Sequence, residues 1–461
     1  MPILEAYMVP HPPLIVPDVG KGGEAQIEET TRAYEEVAKR IGDLKPDTVI
    51  ISSPHATMYA DYFHISPGDG AAGSFADFRA PQVEFRETYD TELVRRISFL
   101  ADKDFFPAGT EGERQRKLDH GTMVPLYFIR KYLKDYKIVR IGLSGLPLAE
   151  HYRMGMLIAK AVEETGRRVV YVASGDLSHK LQVHGPYGFA PEGPEYDKRI
   201  MDVCSRAAFG ELFDFEEHFC EKAAECGHRS FVMMAGALNG RAVEAVKLSH
   251  QDVTGVGYGI CYFRPGDPDP SREFLKAYYQ GLDEKLRMQK EGEDAYVKLA
   301  RASLESYITK GEVISVPGDL PSEMTSERAG AFVSIHKQGR LRGCIGTILP
   351  VTNCVAKEII QNAISASTRD PRFSPITESE IPYLEINVDV LTKPEDIASP
   401  AELDVKKYGV IVSGGGRRGL LLPDLDGVDS VEQQIDIARQ KGGIMPDEDV
   451  RLQRFEVVRH R

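Results

Sequence analysis

Short apolar runs alternate with longer amphipathic stretches through the first part of the chain. Mainly apolar runs of strand length predict buried strands at 48–53, 138–143, 169–173 and 255–263. Amphipathic stretches with a helical period predict helices at 23–41, 90–100 and 149–165. Strands separated by helices require crossover connections, so this pattern predicts an α/β fold with a mostly parallel sheet flanked by helices.

A cluster of turn-forming residues, RPGDPDP at 264–270, interrupts this pattern and marks a domain boundary. A charged helical stretch follows the cluster and precedes a second patterned region. We therefore predict a first domain at 1–265, a linker helix at 266–293 and a second domain at 294–461.

The second domain has a mixed pattern that predicts an α+β fold. Two alternating segments at 331–336 and 340–346 predict a hairpin that turns at Gln338 and Gly339. Further elements are predicted as helices at 294–310 and 355–367 and as a strand at 384–391.

Composition and charge exclude several classes of protein. The 461 residues carry a formal net charge of -13, which argues against a nucleic-acid surface. No apolar run approaches the ~18 residues of a membrane span, and the N-terminus shows no signal-peptide pattern. The six cysteines form no CxxC pair, so zinc ribbons and iron–sulfur clusters are not indicated. We expect a cytoplasmic protein without nucleic-acid or membrane partners.

Histidines follow several of the predicted strands. His11, His55 and His179 each come shortly after an apolar run, and His120 lies in a loop before a helix. Each of them alone could be an ordinary loop residue. Because the carboxyl ends of parallel strands meet at one crevice, however, the histidines can converge there on a ligand or a metal.

A third metal ligand is available in the segment AECGH at 224–228. Glu225 would complete a set of two histidines and one carboxylate with His11 and His55, an arrangement that suits iron(II). Cys226 is the rival ligand, and His228 is a weaker one. Glu225 could instead cap the helix that follows, with Cys226 buried as a small apolar residue.

Five segments of the first domain resemble the LigB family, the catalytic subunits of class III extradiol ring-cleavage dioxygenases. The resemblance covers the chain up to about Phe263, and Memo proteins, some of which place a cysteine at the third ligand position, share this fold. The segments are VPHPPL at 9–14, SPHA at 53–56, DHGTMVPL at 119–126, GDLSH at 175–179 and the Glu225 segment that leads into AGAL at 235–238.

The resemblance implies an oxidoreductase of aromatic compound catabolism in which His11, His55 and Glu225 hold Fe(II). His179 would be the catalytic acid or base, and His120 would orient a small aromatic substrate or dioxygen. Asp176 and His184 are the predicted substrate-binding residues. The dioxygenases usually have glycine where this chain has Asp176, so the reaction can differ from catechol cleavage. Such enzymes often pair subunits, which makes a homodimer the expected assembly.

The second domain resembles the AMMECR domain. The matching segments are LRGCIGT at 341–347, ASTRDPRF at 366–373 and LEINV at 384–388. The whole architecture is similar to fusions called AmmeMemoRadiSam system protein A, which suggests a radical SAM partner protein. Cys344 could be a ligand-accessible thiol or a small buried side chain. Nearby arginines could form an anion-binding cleft if they converge, namely Arg342, Arg369 and Arg372.

Three functions are compatible with these observations. The first is an iron(II)-dependent dioxygenase acting on a catecholic or phenolic ring. The second is a hydrolase or lyase in which the same metal activates water. The third is a non-catalytic Memo-like module that binds the metal for structure or redox sensing.

Overall fold

The computed structural model describes residues 3–114, 117–337, 339–425 and 427–461. The chain forms two compact units, Met1–Tyr279 and Gln280–Arg461. The division falls inside the predicted linker at 266–293, whose bounds stay a prediction. Gln338, at the predicted hairpin turn, lies outside the described residues.

The first unit alternates strands and helices. Its strands are β1 (Ile3–Val9), β2 (Thr48–Ser53), β3 (Phe63–His64), β4 (Gly70–Phe75), β5 (Ala80–Thr88), β6 (Ala108–Gly109), β7 (Lys137–Gly142), β8 (Val169–Ser174), β9 (Arg241–Gln251) and β10 (Tyr258–Pro268). Its helices are α1 (Pro17–Gly20), α2 (Glu28–Leu44), α3 (Thr91–Lys103), α4 (His120–Tyr132), α5 (Leu148–Thr165), α6 (Glu192–Ser205), α7 (Glu217–Ala223) and α8 (His228–Ala237), and α9 (Phe274–Gly292) crosses the division between the units.

The main sheet has the strand order β7-β2-β8-β1-β10-β9. The first four strands in this order are parallel, and β10 joins β1 in the antiparallel direction. The prediction of a mostly parallel sheet is therefore confirmed. The edge strand β9 was not predicted, because most of its side chains are only partly buried and no apolar run marks it.

Side chains of the central strands alternate between two apolar cores, one on each face of the sheet. Met8, Ile50 and Tyr171 face a core formed with α3, α5, α6 and α8, whereas their neighbours face a core formed with α2 and α4. Burial on both faces explains why β2 and β8 are mainly apolar runs that are buried along their whole length. Because the helices cover the two faces of the sheet, the loops that follow the strands lie at its carboxyl edge.

The second unit is an α+β domain, as predicted, and the structure shows that it contains two four-stranded antiparallel sheets. The orders are β12-β11-β13-β18 and β14-β17-β15-β16, and α10 and α12 pack on the first sheet while α13 packs on the second. The strands are β11 (Ala331–Lys337), β12 (Arg340–Gly346), β13 (Leu384–Leu391), β14 (Glu395–Ile397), β15 (Gly409–Gly414), β16 (Arg417–Leu421), β17 (Arg451–Phe455) and β18 (Val457–His460). The helices are α10 (Ala295–Lys310), α11 (Ser322–Ser326), α12 (Val355–Thr368) and α13 (Val431–Gly442).

Throughout the described ranges, no helix is both long enough and apolar enough to cross a membrane.

Candidate metal centre

The carboxyl ends of three neighbouring strands, β2, β8 and β1, carry the predicted site residues. His11 follows β1 by two residues and His55 follows β2 by two residues. Asp176 and His179 lie in the loop after β8. The structure therefore brings together at one edge of the sheet side chains that are far apart in sequence, as the parallel topology requires.

The ring of His11 is held in one tautomer by its neighbours. Its Nδ1 lies 3.0 Å from Ser174 Oγ, and the Ser174 hydroxyl donates its only hydrogen to the carbonyl of Gly121 at 2.6 Å. Ser174 must therefore accept a hydrogen bond from His11 Nδ1–H. The lone pair of His11 is consequently on Nε2, which faces the centre of the site.

Two further donor atoms converge on His11 Nε2. His55 Nε2 lies 3.0 Å from it and Cys226 Sγ lies 3.5 Å from it. Two nitrogen ligands bound to one ion at about 2.1 Å, at roughly a right angle, are separated by about 3 Å. The ligand atoms of His11, His55 and Cys226 all lie within 4.8 Å of one another, so these residues fit a shared metal ion.

The protonation states of these groups suit a cation. Burial lowers the pKa of His11. Burial and the adjacent His11 and His120 rings lower the pKa of His55 to about 3, although part of the His55 side chain is exposed to solvent. Both imidazoles are therefore neutral at neutral pH. Burial raises the pKa of the Cys226 thiol, so a bound metal would have to displace its proton.

Glu225, the predicted third ligand, does not join this group. Its Oε2 accepts a hydrogen bond from the backbone N–H of His228 at 2.5 Å, at the first residue of α8. The carboxylate thus satisfies a free N–H group at a helix N-terminus, which is the alternative role considered for it. The structure places Cys226, the rival candidate, beside His11 and His55 instead, and the ligand role of Glu225 stays a prediction.

A close approach of two loops brings Cys226 into position. A Cβ atom on Gly175 would lie 2.1 Å from Gly227 Cα, so only glycine fits at this contact. The contact joins the loop after β8 to the loop before α8. It also allows the backbone N–H of Asp176 to donate to Cys226 Sγ at 3.3 Å.

Asp176 and His179 lie beside the three donors. Asp176 Oδ1 accepts a hydrogen bond from the backbone N–H of His11 at 2.7 Å, and Oδ2 lies 3.8 Å from His179 Nε2. Burial opposes the charge of Asp176, but His11 and His179 outweigh burial and lower the pKa of the carboxyl. The ring of His179 stacks on Tyr187 with centroids 5.0 Å apart. Asp176 is thus a buried anchor of the site, and its predicted contact with substrate stays a prediction.

His120 also lies at the site, as the first residue of α4. Its ring centroid is 4.0 Å from that of His55 and 5.4 Å from that of Phe78. Burial, followed by the influence of His11, lowers the pKa of His120 to about 4. A neutral His120 can hydrogen-bond to a ligand but carries no positive charge at neutral pH.

Asp119 braces the histidine loops and was not identified from the sequence as part of the site. Its carboxylate caps α4 by accepting from the backbone N–H of Thr122 and also accepts from Ser53 Oγ at 2.6 Å. Ser53 Oγ in turn accepts from the backbone N–H of His55 at 3.2 Å. An aspartate directly before a helix is a recognisable N-cap, so this role could have been predicted. The aromatic neighbours Phe78 and Tyr187 had no such signal.

Two predicted residues are not brought into the group. His184 is exposed, and in the described ranges no hydrogen bond, ion pair or ring contact joins it to the other histidines. His228, the weaker ligand candidate, is buried, with Nε2 donating to the carbonyl of Leu212 and Nδ1 facing the Tyr196 hydroxyl. His228 therefore has a structural role.

In the second unit, Cys344 is partly buried on the edge strand β12. Its Sγ accepts a hydrogen bond from Ser334 Oγ at 3.2 Å, and its backbone N–H donates to Asp370. Arg372 pairs with Asp370, and Arg342 pairs with Glu380. Arg369 is exposed. Arg342 and Arg372 are thus paired with separate carboxylates, and the anion-binding cleft stays a prediction.

We predict that Cys226→Ser lowers the affinity for a divalent transition metal about 100-fold or more, because a weakly coordinating hydroxyl replaces a thiolate. The matched variant Glu225→Gln keeps an acceptor oxygen for the helix N-terminus and should retain the metal. Elemental analysis of anaerobically purified full-length variants measures both. Loss of metal in Glu225→Gln with retention in Cys226→Ser would reverse the assignment.

We further expect Asp119→Ala to lower both the free energy of unfolding, by about 2 kcal/mol, and the metal affinity, because it removes a helix cap and the brace on the His55 loop. Asp90 is the matched control, since it caps α3 and accepts from Thr48 Oγ1 away from the histidines. Asp90→Ala should lower stability alone. Chemical denaturation followed by circular dichroism, together with metal titration, separates the two effects. Equal metal affinity in both variants would contradict the bracing role.

Both domains match known protein families. A family described as the catalytic LigB subunit of aromatic ring-opening dioxygenase matches residues 5–261, and the AMMECR1 family matches residues 297–460. A protein of Clostridium acetobutylicum is 43% identical over 463 residues, covering 99% of this chain and 98% of its own length. A protein of Thermotoga maritima is 51% identical over 172 residues, covering 37% of this chain and 99% of its own length. The crystal structure of an uncharacterized protein from Pyrococcus horikoshii is 33% identical, with a TM-score of 0.34, and the match covers 36% of this chain and 88% of that one. The chain therefore belongs to the LigB family of catalytic dioxygenase subunits through its N-terminal domain, which is joined to a C-terminal AMMECR1 domain.

Proposed function

We propose that the N-terminal domain is an iron(II)-dependent oxidoreductase that acts on a catecholic or phenolic ring, with the metal held by His11, His55 and Cys226. The observation that carries the proposal is the convergence of these three donors, with His11 Nε2 3.0 Å from His55 Nε2 and 3.5 Å from Cys226 Sγ. Three protein ligands leave further coordination positions for substrate and dioxygen. The family match supports the same class of reaction.

The entrance to the centre suits a small aromatic molecule. His55 is exposed on one side, so the donors can be reached from solvent. Tyr187 stacks on His179, and Phe78 contacts His120 edge-on with ring centroids 5.4 Å apart. The two aromatic side chains flank the donors and offer apolar surfaces for a ring.

Residues next to the proposed metal ligands can accept a proton from the substrate and stabilise the charge that results. When bound, iron(II) would bring the oxygens of the substrate and dioxygen to one centre. His179 would accept the proton of a substrate hydroxyl, and Asp176 Oδ2 at 3.8 Å from its Nε2 would stabilise the resulting imidazolium. Stacking on Tyr187 would keep the His179 ring in place. His120, which is neutral at neutral pH, would orient the substrate by a hydrogen bond.

A second candidate function is a non-catalytic metal-binding module of the Memo type. The observation that favours it is the replacement of a carboxylate by Cys226 in the donor set. A thiolate is a softer ligand and increases the affinity for copper(I) and zinc relative to a carboxylate. Metal content and turnover together discriminate between the two functions.

Turnover by the iron-loaded full chain should require dioxygen. We expect at least one member of a panel of dihydroxylated aromatics to give a yellow ring-opened product, with one dioxygen consumed per substrate, and no product under anoxia. An oxygen electrode and absorbance spectra measure the two. Equal turnover without oxygen would support the hydrolase or lyase alternative, whereas tight zinc binding without any turnover would support the Memo-like module.

His179→Ala should lower kcat about 10²–10⁴-fold while the iron content stays unchanged, because the variant removes a proton acceptor and none of the three proposed iron ligands. His218 is the matched control, since it is an exposed histidine on α7. His218→Ala should have the activity of the unmodified chain. An unchanged kcat in His179→Ala would remove the proposed acid or base.

A further inference from the structure

We propose that Asp176, His179 and Cys226 form a second cation site, which shares the Cys226 sulfur with the first and binds a borderline divalent cation such as Zn²⁺. This inference rests on the proposed function, because it takes the first site, formed by His11, His55 and Cys226, to hold a metal. The second cation would inhibit the enzyme, because it would occupy the group proposed to move the proton.

The positions of the donors carry the inference. Among the described residues, the ligand atoms of His11, His55 and Cys226 all lie within 4.8 Å of one another. Those of Asp176, His179 and Cys226 do so as well, and Cys226 therefore belongs to both groups. The two groups do not merge at that limit. Two nitrogen or oxygen ligands of one ion, each bound at about 2.1 Å, can be at most about 4.2 Å apart. One ion therefore cannot engage all five side chains as they stand.

The second group has the chemistry of a cation site. Asp176 uses Oδ1 to anchor the backbone of His11, which leaves Oδ2 toward the histidines. Oδ2 lies 3.8 Å from His179 Nε2 and 3.9 Å from His11 Nε2, too far for direct hydrogen bonds. A carboxylate, an imidazole and a thiolate are the common protein ligands of zinc, and a water molecule could complete a tetrahedron.

The charges favour a second cation. The Asp176 side chain is buried, with the residue 7% exposed, and an aspartate that binds a cation does so as a carboxylate. A thiolate sulfur has enough lone pairs to bind two ions at once. The negative charges that face a second divalent cation would thus be the Asp176 carboxylate and the Cys226 thiolate, which is shared with the first ion. Binding of the first cation would displace the thiol proton to solvent, the second cation would bind the thiolate so formed, and no group is oxidised or reduced.

Occupation of this site would affect proton transfer directly. His179 Nε2 is the atom that faces Asp176, and a cation bound there would take the lone pair needed to accept a proton from substrate. The first metal would keep its own histidines. Excess zinc is therefore expected to inhibit without displacing the first ion.

Metal stoichiometry tests this inference without relying on activity. The metal-free full chain is titrated anaerobically with Zn²⁺ by calorimetry and with Co²⁺ by thiolate-to-cobalt absorbance. We expect two equivalents for the unmodified chain and for His218→Ala. His179→Ala and His179→Gln should each bind one equivalent, and His55→Ala should also retain one, at the second site. Circular dichroism shows whether each variant is folded. In the iron-loaded chain, a second equivalent of Zn²⁺ should lower turnover at least 10-fold.

The outcomes separate this inference from the proposed function. A single equivalent in the unmodified chain that is lost in His55→Ala and unchanged in both His179 variants would overturn the second site and leave the first intact. Binding that is insensitive to His55 and His179 alike, or no binding, would overturn both sites.

Discussion

The hydrogen bond from His11 Nδ1 to Ser174 is the interaction on which the centre depends. Ser174 is the last residue of β8, and its hydroxyl donates a hydrogen bond to the carbonyl of Gly121. Because the hydroxyl has no second hydrogen, it can only accept a hydrogen bond from the imidazole. This arrangement ties the end of one strand to the start of α4 and fixes which nitrogen of His11 is free. The free Nε2 is the atom nearest to both His55 and Cys226, and a different tautomer would remove its lone pair from the donor group.

The side chain that lies beside the two histidines depends on where the Glu225 carboxylate is used. A helix that begins at His228 leaves backbone N–H groups without partners, and the Glu225 carboxylate satisfies one of them. The neighbouring residue, Cys226, then faces His11 because Gly175 and Gly227 allow the two loops to touch. Local backbone geometry thus places the Cys226 sulfur, and not the Glu225 carboxylate, next to the two histidines.

In the AMMECR1 domain, main-chain hydrogen bonds likewise join two segments that are distant in sequence. Asp370 accepts from the backbone N–H of Cys344, and Arg372 donates to the carbonyl of the same residue. Together they occupy both backbone groups of an edge-strand residue, as a further strand would. The two segments at 341–347 and 366–373 are therefore linked by main-chain hydrogen bonds. Arg372 thus contributes to the structure by bridging Asp370 and the carbonyl of Cys344.

The sequence alone determined the α/β and α+β character of the two domains, because central parallel strands are apolar throughout and helices have an amphipathic period. It also indicated that His11, His55 and His179 meet at one edge of the sheet, since each follows a predicted strand and the carboxyl ends of parallel strands lie together. Only the tertiary structure decided that Cys226 faces His11, that Asp176 lies between His11 and His179, and that His184 lies outside. Those outcomes depend on contacts between segments far apart in the chain, such as Gly175 with Gly227, and local periodicity carries no information about the direction of a loop side chain.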